Sequence, residues 1–209
     1  MKLAVYNIKG TATGKEAILD DSIFAIENPS DHAIYLDVKQ YLADQRQGTH
    51  KSKDRSEVAY STKKMGRQKG GGGARHGSIK ANTYVGGGRA FGPKPRDYSF
   101  KLNKKLKQLA RFSALTYKAQ EGAITMVEPF SMEAPKTKDL LQILDALKAN
   151  GRKTLVVLPE NQNNIYLSSR NLPEVKVITV DEISTYAIMN SNQIVMVDGV
   201  QDILVERRK

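Results

Sequence analysis

Residues 48–100 form a stretch of 53 residues with no leucine, no cysteine and no tryptophan, whose only large aliphatic side chains are Val58, Met65, Ile79 and Val85. A chain so poor in apolar surface cannot offset the entropy of ordering by burial alone. What it carries instead is Lys-Ser-Lys-Asp-Arg at 51–55, Lys-Lys-Met-Gly-Arg-Gln-Lys at 63–69, four glycines at 70–73 and Ala-Arg-His-Gly at 74–77. Such a segment calls for an outside partner with many negative charges.

The charge distribution says the same. Residues 45–111 hold 18 lysines and arginines against Asp54, Glu57 and Asp97, a local net charge of +15; the whole chain is at +11, so the remainder is at −4. Positive charge confined to one third of a chain argues for a polyanion site rather than for general solubility. The absence of cysteine excludes disulfides, thiolate metal sites and cysteine nucleophiles. The apolar run at residues 1–7 is too short for a signal peptide, and no stretch approaches the ~20 apolar residues of a membrane span. The expectation is a cytoplasmic protein with no membrane partner.

Outside the basic stretch the chain alternates. Strands are expected at 2–8, 16–19, 123–128, 154–158, 175–180 and 193–197, the last four as continuous apolar runs. Helices are expected at 31–46, from Leu102 to Lys118, at 136–150 with Gly151 as the stop, at 163–170, from a cap at Asp181 to Asn190, and at 200–207. In the second of these, Leu102, Leu106, Leu109, Ser113 and Tyr117 form the stripe expected to face the sheet, with Lys118 on another face. The fold class is therefore α/β: a mainly parallel sheet with helices on both faces, interrupted by a long extended basic loop. The domain is discontinuous, with a first part at 1–47, the loop at 48–100 and a second part at 101–209. Loops beyond about 15 residues are usually functional. Fully extended out and back, this one reaches roughly 80 Å at ~3.3 Å per residue.

The chemistry permitted is narrow. The glycines at 70–73 and 86–88 complete neither the P-loop nor the G-x-G-x-x-G pattern, and neither cluster lies between a strand and a helix. They suit close approach of the backbone to phosphates. Arg46, Lys51, Lys53, Arg55, Lys63, Lys64, Arg67, Lys69, Arg75, Lys80, Arg89, Lys94 and Arg96 run the length of the insertion as candidate phosphate contacts. Tyr60, Tyr84, Phe91, Tyr98 and Phe100 interleave with them, a mixture that fits irregular folded RNA better than a DNA groove. Tyr98 and Phe100, nearest the domain, are expected to pack. His50 and His76 add hydrogen-bond donors, and His32 falls at a helix start. No spacing suggests a metal site or a cofactor, and no acid–base pair stands out; Asp198-Gly199 at a strand end reads as a turn. Two alternatives remain at this point: a small-molecule enzyme with the insertion as its lid, and a free regulator acting on messenger RNA.

One resemblance is specific. Gln45-Arg46-Gln47-Gly48-Thr49, Lys63-Lys64, Arg67-Gln68-Lys69-Gly70, Ala74-Arg75-His76-Gly77-Ser78-Ile79, Gly86-Gly87-Gly88, Phe91-Gly92-Pro93-Lys94-Pro95-Arg96-Asp97-Tyr98, Asn103-Lys104-Lys105 and Ala134-Pro135-Lys136-Thr137-Lys138 occur in an order that resembles the bacterial ribosomal protein L4 family over most of the chain. The resemblance implies a non-enzymatic constituent of the large ribosomal subunit that supports subunit assembly. Its partners would be 23S-type rRNA and neighbouring ribosomal proteins, with a loop reaching the nascent-peptide exit tunnel. It assigns RNA contact to Arg46, Lys63, Lys64, Arg67, Lys69, Arg75, Arg96, Lys104 and Lys105; the other cations of the insertion, with His76, Tyr84 and Phe91, are candidate contacts on the reading of the residues themselves. The tunnel tip falls on Lys64, Met65, Gly66, Arg67, Gln68, Lys69 and Gly70, where the nascent peptide would pass. Met65-Gly66 stands where the family usually has Pro-Trp, and Gly71 and Gly73 replace the Thr and Arg of the usual Gly-Thr-Gly-Arg, which makes for a slimmer tip.

Overall fold

The computed structural model of the chain describes residues 1–207; the last two residues of the expected second domain part, 208 and 209, lie outside them. The chain divides into two compact units, residues 1–42 with 101 onward, and residues 43–100.

The first unit is built on a six-stranded sheet. Its strands are β1 (Lys2–Tyr6), β2 (Ala12–Ile18), β3 (Ile124–Val127), β4 (Thr154–Leu158), β5 (Val175–Thr179) and β6 (Gln193–Val197), in the order β2-β1-β3-β6-β4-β5. Every pairing is parallel except β1 with β2. Side chains alternate between the faces of a strand, and the two apolar cores follow that rule. Leu155 and Val157 of β4, with Ile194 and Met196 of β6, enter one core; Val156, Leu158, Val195 and Val197 enter the other. The first core is closed by Phe24 of α1 (Asp21–Phe24), Ile34 of α2 (Asp31–Asp44), Phe112 and Leu115 of α3 (Lys104–Gln120), Ile188 of α6 (Thr185–Asn190) and Leu204 of α7 (Val200–Glu206). The second is closed by Leu140 and Leu144 of α4 (Thr137–Ala146) and by Ile165 of α5 (Asn163–Ser169). Both faces are thus covered, which is why β4 is buried at all five positions and reads as an unbroken apolar run.

The differences from expectation have local causes. β2 begins at Ala12 rather than Glu16: it is an edge strand with a single buried residue, Ala17, so most of it carries no apolar signal. α4 stops at Ala146, well before Gly151. The amide of Ala149 bonds the carbonyl of Leu144 at 2.8 Å and that of Lys148 bonds Asp145 at 3.0 Å, with Lys148 itself left-handed at φ 56°. This is the double-bonded helix end usually reserved for glycine. Asp181 is not the cap of α6; it sits in a short 3-10 turn, Val180–Glu182, and Ser184 Oγ accepts from the amide of Ala187 at 3.2 Å instead. In α3 the expected stripe holds in part: Ser113 is buried and Tyr117 packs on the first core. Leu109 is exposed, Ala110, Ala114 and Leu115 are buried, and Lys118 is buried with its ammonium 2.9 Å from Glu121.

Candidate nucleic-acid interface

The second unit, 43–100, contains a single isolated bridge and otherwise neither strand nor helix beyond the last residues of α2, among the described residues. It is held by paired backbones all the same. Arg96 N–H donates to Gly48 O at 3.2 Å, Ser52 N–H to Pro93 O at 3.0 Å and Arg89 N–H to Lys53 O at 2.8 Å, so the outgoing limb lies against the returning one. Gly88 is buried where the limbs meet, and a Cβ there would strike the backbone of Arg55. Further out, Met65 N–H donates to Gly77 O at 3.0 Å beside the Lys64–Ser78 bridge, closing the loop that holds the tip.

The glycines therefore do two different jobs. Gly48 and Gly88 let backbone meet backbone inside the unit, whereas Gly70, Gly71, Gly72 and Gly73 have nothing within 4 Å of where a side chain would begin. The second group leaves open space for a ligand to approach the main chain.

Near its two ends the unit carries a cation–aromatic cluster. Tyr98 has the guanidinium of Arg46 at 3.7 Å and that of Arg96 at 4.5 Å from its ring centroid, and its hydroxyl lies 3.2 Å from His50 Nε2. Tyr98 is half-buried in this cluster, among residues of its own unit.

The acids of residues 48–100 are spent internally. Glu57 pairs with Lys51 at 2.7 Å and accepts the Asp54 amide at 3.1 Å, which holds its carboxyl below the usual range and raises the Lys51 ammonium. Asp54 pairs with Lys94 at 3.1 Å, and Asp97 is held low by the amide and hydroxyl of Ser99. Sequence reasoning counts these carboxylates only as charge; the (i, i+3) spacing of Asp54 and Glu57 is the signal that they brace a turn. Among the described residues, the side chains of Lys53, Arg55, Lys63, Arg67, Lys69, Arg75, Lys80 and Arg89 enter no ion pair.

Five of the expected contacts converge, four cations and His76. Arg55, Lys64, Arg75 and Lys80 line a cleft of about 910 Å³ with Gln68, His76 and Ser78, and no carboxylate lines it. Lys64 Nζ is hydrogen-bonded to Gln68. His76 lies 5.4 Å from the Tyr84 ring, centroid to centroid. The tip residues Met65, Gly66, Arg67, Lys69 and Gly70 are exposed beyond it, and Lys53, Arg89 and Phe91 stand on the limbs. Lys104 and Lys105 belong to the first unit, exposed in the first turn of α3, which holds no acid and whose cap residue Asn103 makes no side-chain bond. Cations there oppose the helix dipole, an arrangement that an incoming anion relieves. No group of three or more potential ligands for a metal ion, and no helix long and apolar enough to cross a membrane, occurs among the described residues.

The model of the family described as "Ribosomal protein L4/L1 family" matches residues 17–207. Among relatives, the chain is 62% identical to "Large ribosomal subunit protein uL4" of Parabacteroides distasonis over 199 residues, 95% of each chain. It is 58% identical to the protein of that name from Bacteroides fragilis, again over 95% of each. The Porphyromonas gingivalis protein is 59% identical, over 95% of this chain and 94% of its own.

Proposed function

The chain belongs to the ribosomal protein L4/L1 family, and on that premise we propose that it is a structural, non-enzymatic constituent of the large ribosomal subunit, working in the cytoplasm and binding large-subunit rRNA through residues 43–100. One observation carries the RNA reading: Arg55, Lys64, Arg75 and Lys80 surround a cleft with no carboxylate in its wall. Four like charges around one polar space repel one another, and a polyanion that enters it neutralises them while releasing its own counterions. An enzyme lid would need an acid–base set beside it, and the acids of residues 48–100 are tied to Lys51, Lys94 and Ser99.

On this reading residues 1–47 and 101–209 hold the arm, and 48–100 extend into rRNA. Arg46, Lys51, Lys53, Lys63, Arg67, Lys69, Arg89, Lys94 and Arg96 meet phosphates along it, and Lys104 and Lys105 do so at α3. His76, Tyr84 and Phe91 offer donors and stacking faces. The tip from Lys64 to Gly70 reaches the exit tunnel and the nascent peptide; its exposure supports this. The chain supports early assembly by ordering the RNA it enters.

Sucrose-gradient sedimentation of cell extract tests the proposal. The chain is expected wholly in the large-subunit fractions, and recovery in the soluble fraction at physiological salt would overturn it.

A further inference from the structure

Phe91 is the most conspicuous side chain of the second unit. It is 108% exposed, and its backbone is left-handed at φ 51°. A bulky residue at positive φ is a genuine outlier, and such outliers persist where the surroundings over-determine them, often at ligand clamps. The surroundings here do so. Pro93 and Pro95 fix the backbone just after the ring, Ser52 N–H holds Pro93 O at 3.0 Å, and Gly92 is so close to the Ser52 hydroxyl that no Cβ would fit. A strained backbone thus holds an aromatic ring out in solvent with nothing of its own chain upon it.

The ring borders a cleft of about 860 Å³, lined also by His50, Pro93, Pro95, Lys94 and Arg96, with Asp54 as its single acid. Asp54 is already paired with Lys94. Apolar planes with cations beside them match a nucleotide, whose base is an apolar plane and whose phosphates are anions.

We infer that Phe91 is a stacking platform for one nucleobase extruded from folded RNA, with the cleft it borders receiving that nucleotide and Lys94 and Arg96 taking the flanking phosphates. The inference rests on the rRNA-binding reading above and adds a single-nucleotide contact to it. The fixed backbone presents the ring ready-made, so stacking orders little that was mobile before.

The test uses the full-length chain as wild type, Phe91→Ala, Phe91→Leu and Phe91→Trp, with a large-subunit rRNA transcript as the probe. Filter binding gives affinity, and dimethyl sulfate probing gives base accessibility. Phe91→Ala is expected to weaken binding roughly 5- to 100-fold, the range for loss of one base–aromatic stack, and to remove a protein-dependent change in reactivity at one or two nucleotides. Phe91→Trp restores both; Phe91→Leu, apolar without a π face, does not. Melting temperatures stay equal, since the ring packs on nothing. Wild-type affinity and reactivity in Phe91→Ala, or full rescue by leucine, would overturn the stacking assignment and leave the rRNA reading intact. Failure of the wild type to prefer this transcript over unrelated RNA would overturn both.

Discussion

The guanidinium of Arg46 lies 3.7 Å from the centroid of the Tyr98 ring, across 52 positions of sequence. The stacked pair joins the two ends of the second unit beside the Arg96–Gly48 backbone bond. Cation–aromatic pairs contribute about 0.5–2 kcal/mol each, and Tyr98 engages two guanidiniums. Tyr98→Ala is therefore expected to loosen the closure by about 1–3 kcal/mol, read as faster hydrogen exchange at the Arg96 amide. Tyr98→Phe keeps the stacking, loses only the bond to His50, and should exchange nearly as slowly as wild type.

Charge reversal at the tip separates binding from folding. Arg67 and Lys69 are exposed and unpaired, so Arg67→Glu with Lys69→Glu should weaken RNA binding while shifting the melting temperature by less than about 1 °C. A large drop in melting temperature would mean that the tip packs on its own chain.

The cleft gives a graded version of the same experiment. If about eight cations meet phosphates, log affinity falls against log salt with a slope near −6. Arg75→Gln and Lys80→Gln should each flatten that slope by roughly 0.7, and the double variant by about twice as much. An unchanged slope would remove these residues from the phosphate-contact set.

Glycine replacements should sort by position. Gly88→Ala forces a methyl into the backbone of Arg55 and is expected to cost about 1–3 kcal/mol through overpacking, with faster exchange at the Arg89 amide. Gly71→Ala, with open space around it and no left-handed φ, should be silent in the same measurement.

Acidification should release the brace at Glu57. Its carboxyl is lowered by Lys51 and by the Asp54 amide, so its contribution is present above the ordinary carboxylate value of about 4.3 and disappears as pH falls through the lower folded value. Lys51 is raised, so its contribution holds below about 10.4 and disappears as pH rises beyond it. The Asp54 amide resonance should titrate at the acid end, below the pKa of a free glutamate, and Glu57→Gln should abolish that titration.

How much of this was legible in the sequence differs by region. The interior parallel strands β3, β4 and β6 are near-continuous apolar runs because helices cover both faces, and that pattern survives without any tertiary information. β2 is poorly legible because, at an edge, Ala17 alone of its seven residues is buried. The α4 terminus misleads because Lys148 takes a conformation that composition assigns to Gly151, and Ser184 displaces Asp181 because the intervening 3-10 turn leaves no local signature. In the candidate interface the cations are plain to see, but their division is not. Lys51 and Lys94 are paired and Arg46 and Arg96 are stacked, while Arg55, Lys64, Arg75 and Lys80 converge on one cleft; that sorting depends on limb pairing, which no periodicity encodes. The exposure of Phe91 is equally invisible, since an aromatic beside glycine and proline reads just as well as a packed one.

The Lys64–Ser78 bridge closes the loop of residues 65–77, and within it the four consecutive glycines have open space where side chains would begin. A residue added or removed between Gly70 and Gly73 shifts no partner below the bridge, because no pairing passes through that point. Length and register are uncoupled there, though they are locked together along the limbs from Gly48 to Arg96. The segment is accordingly the place to graft a short tag or a cross-linking residue, which would report from that loop without re-threading the limbs that carry it.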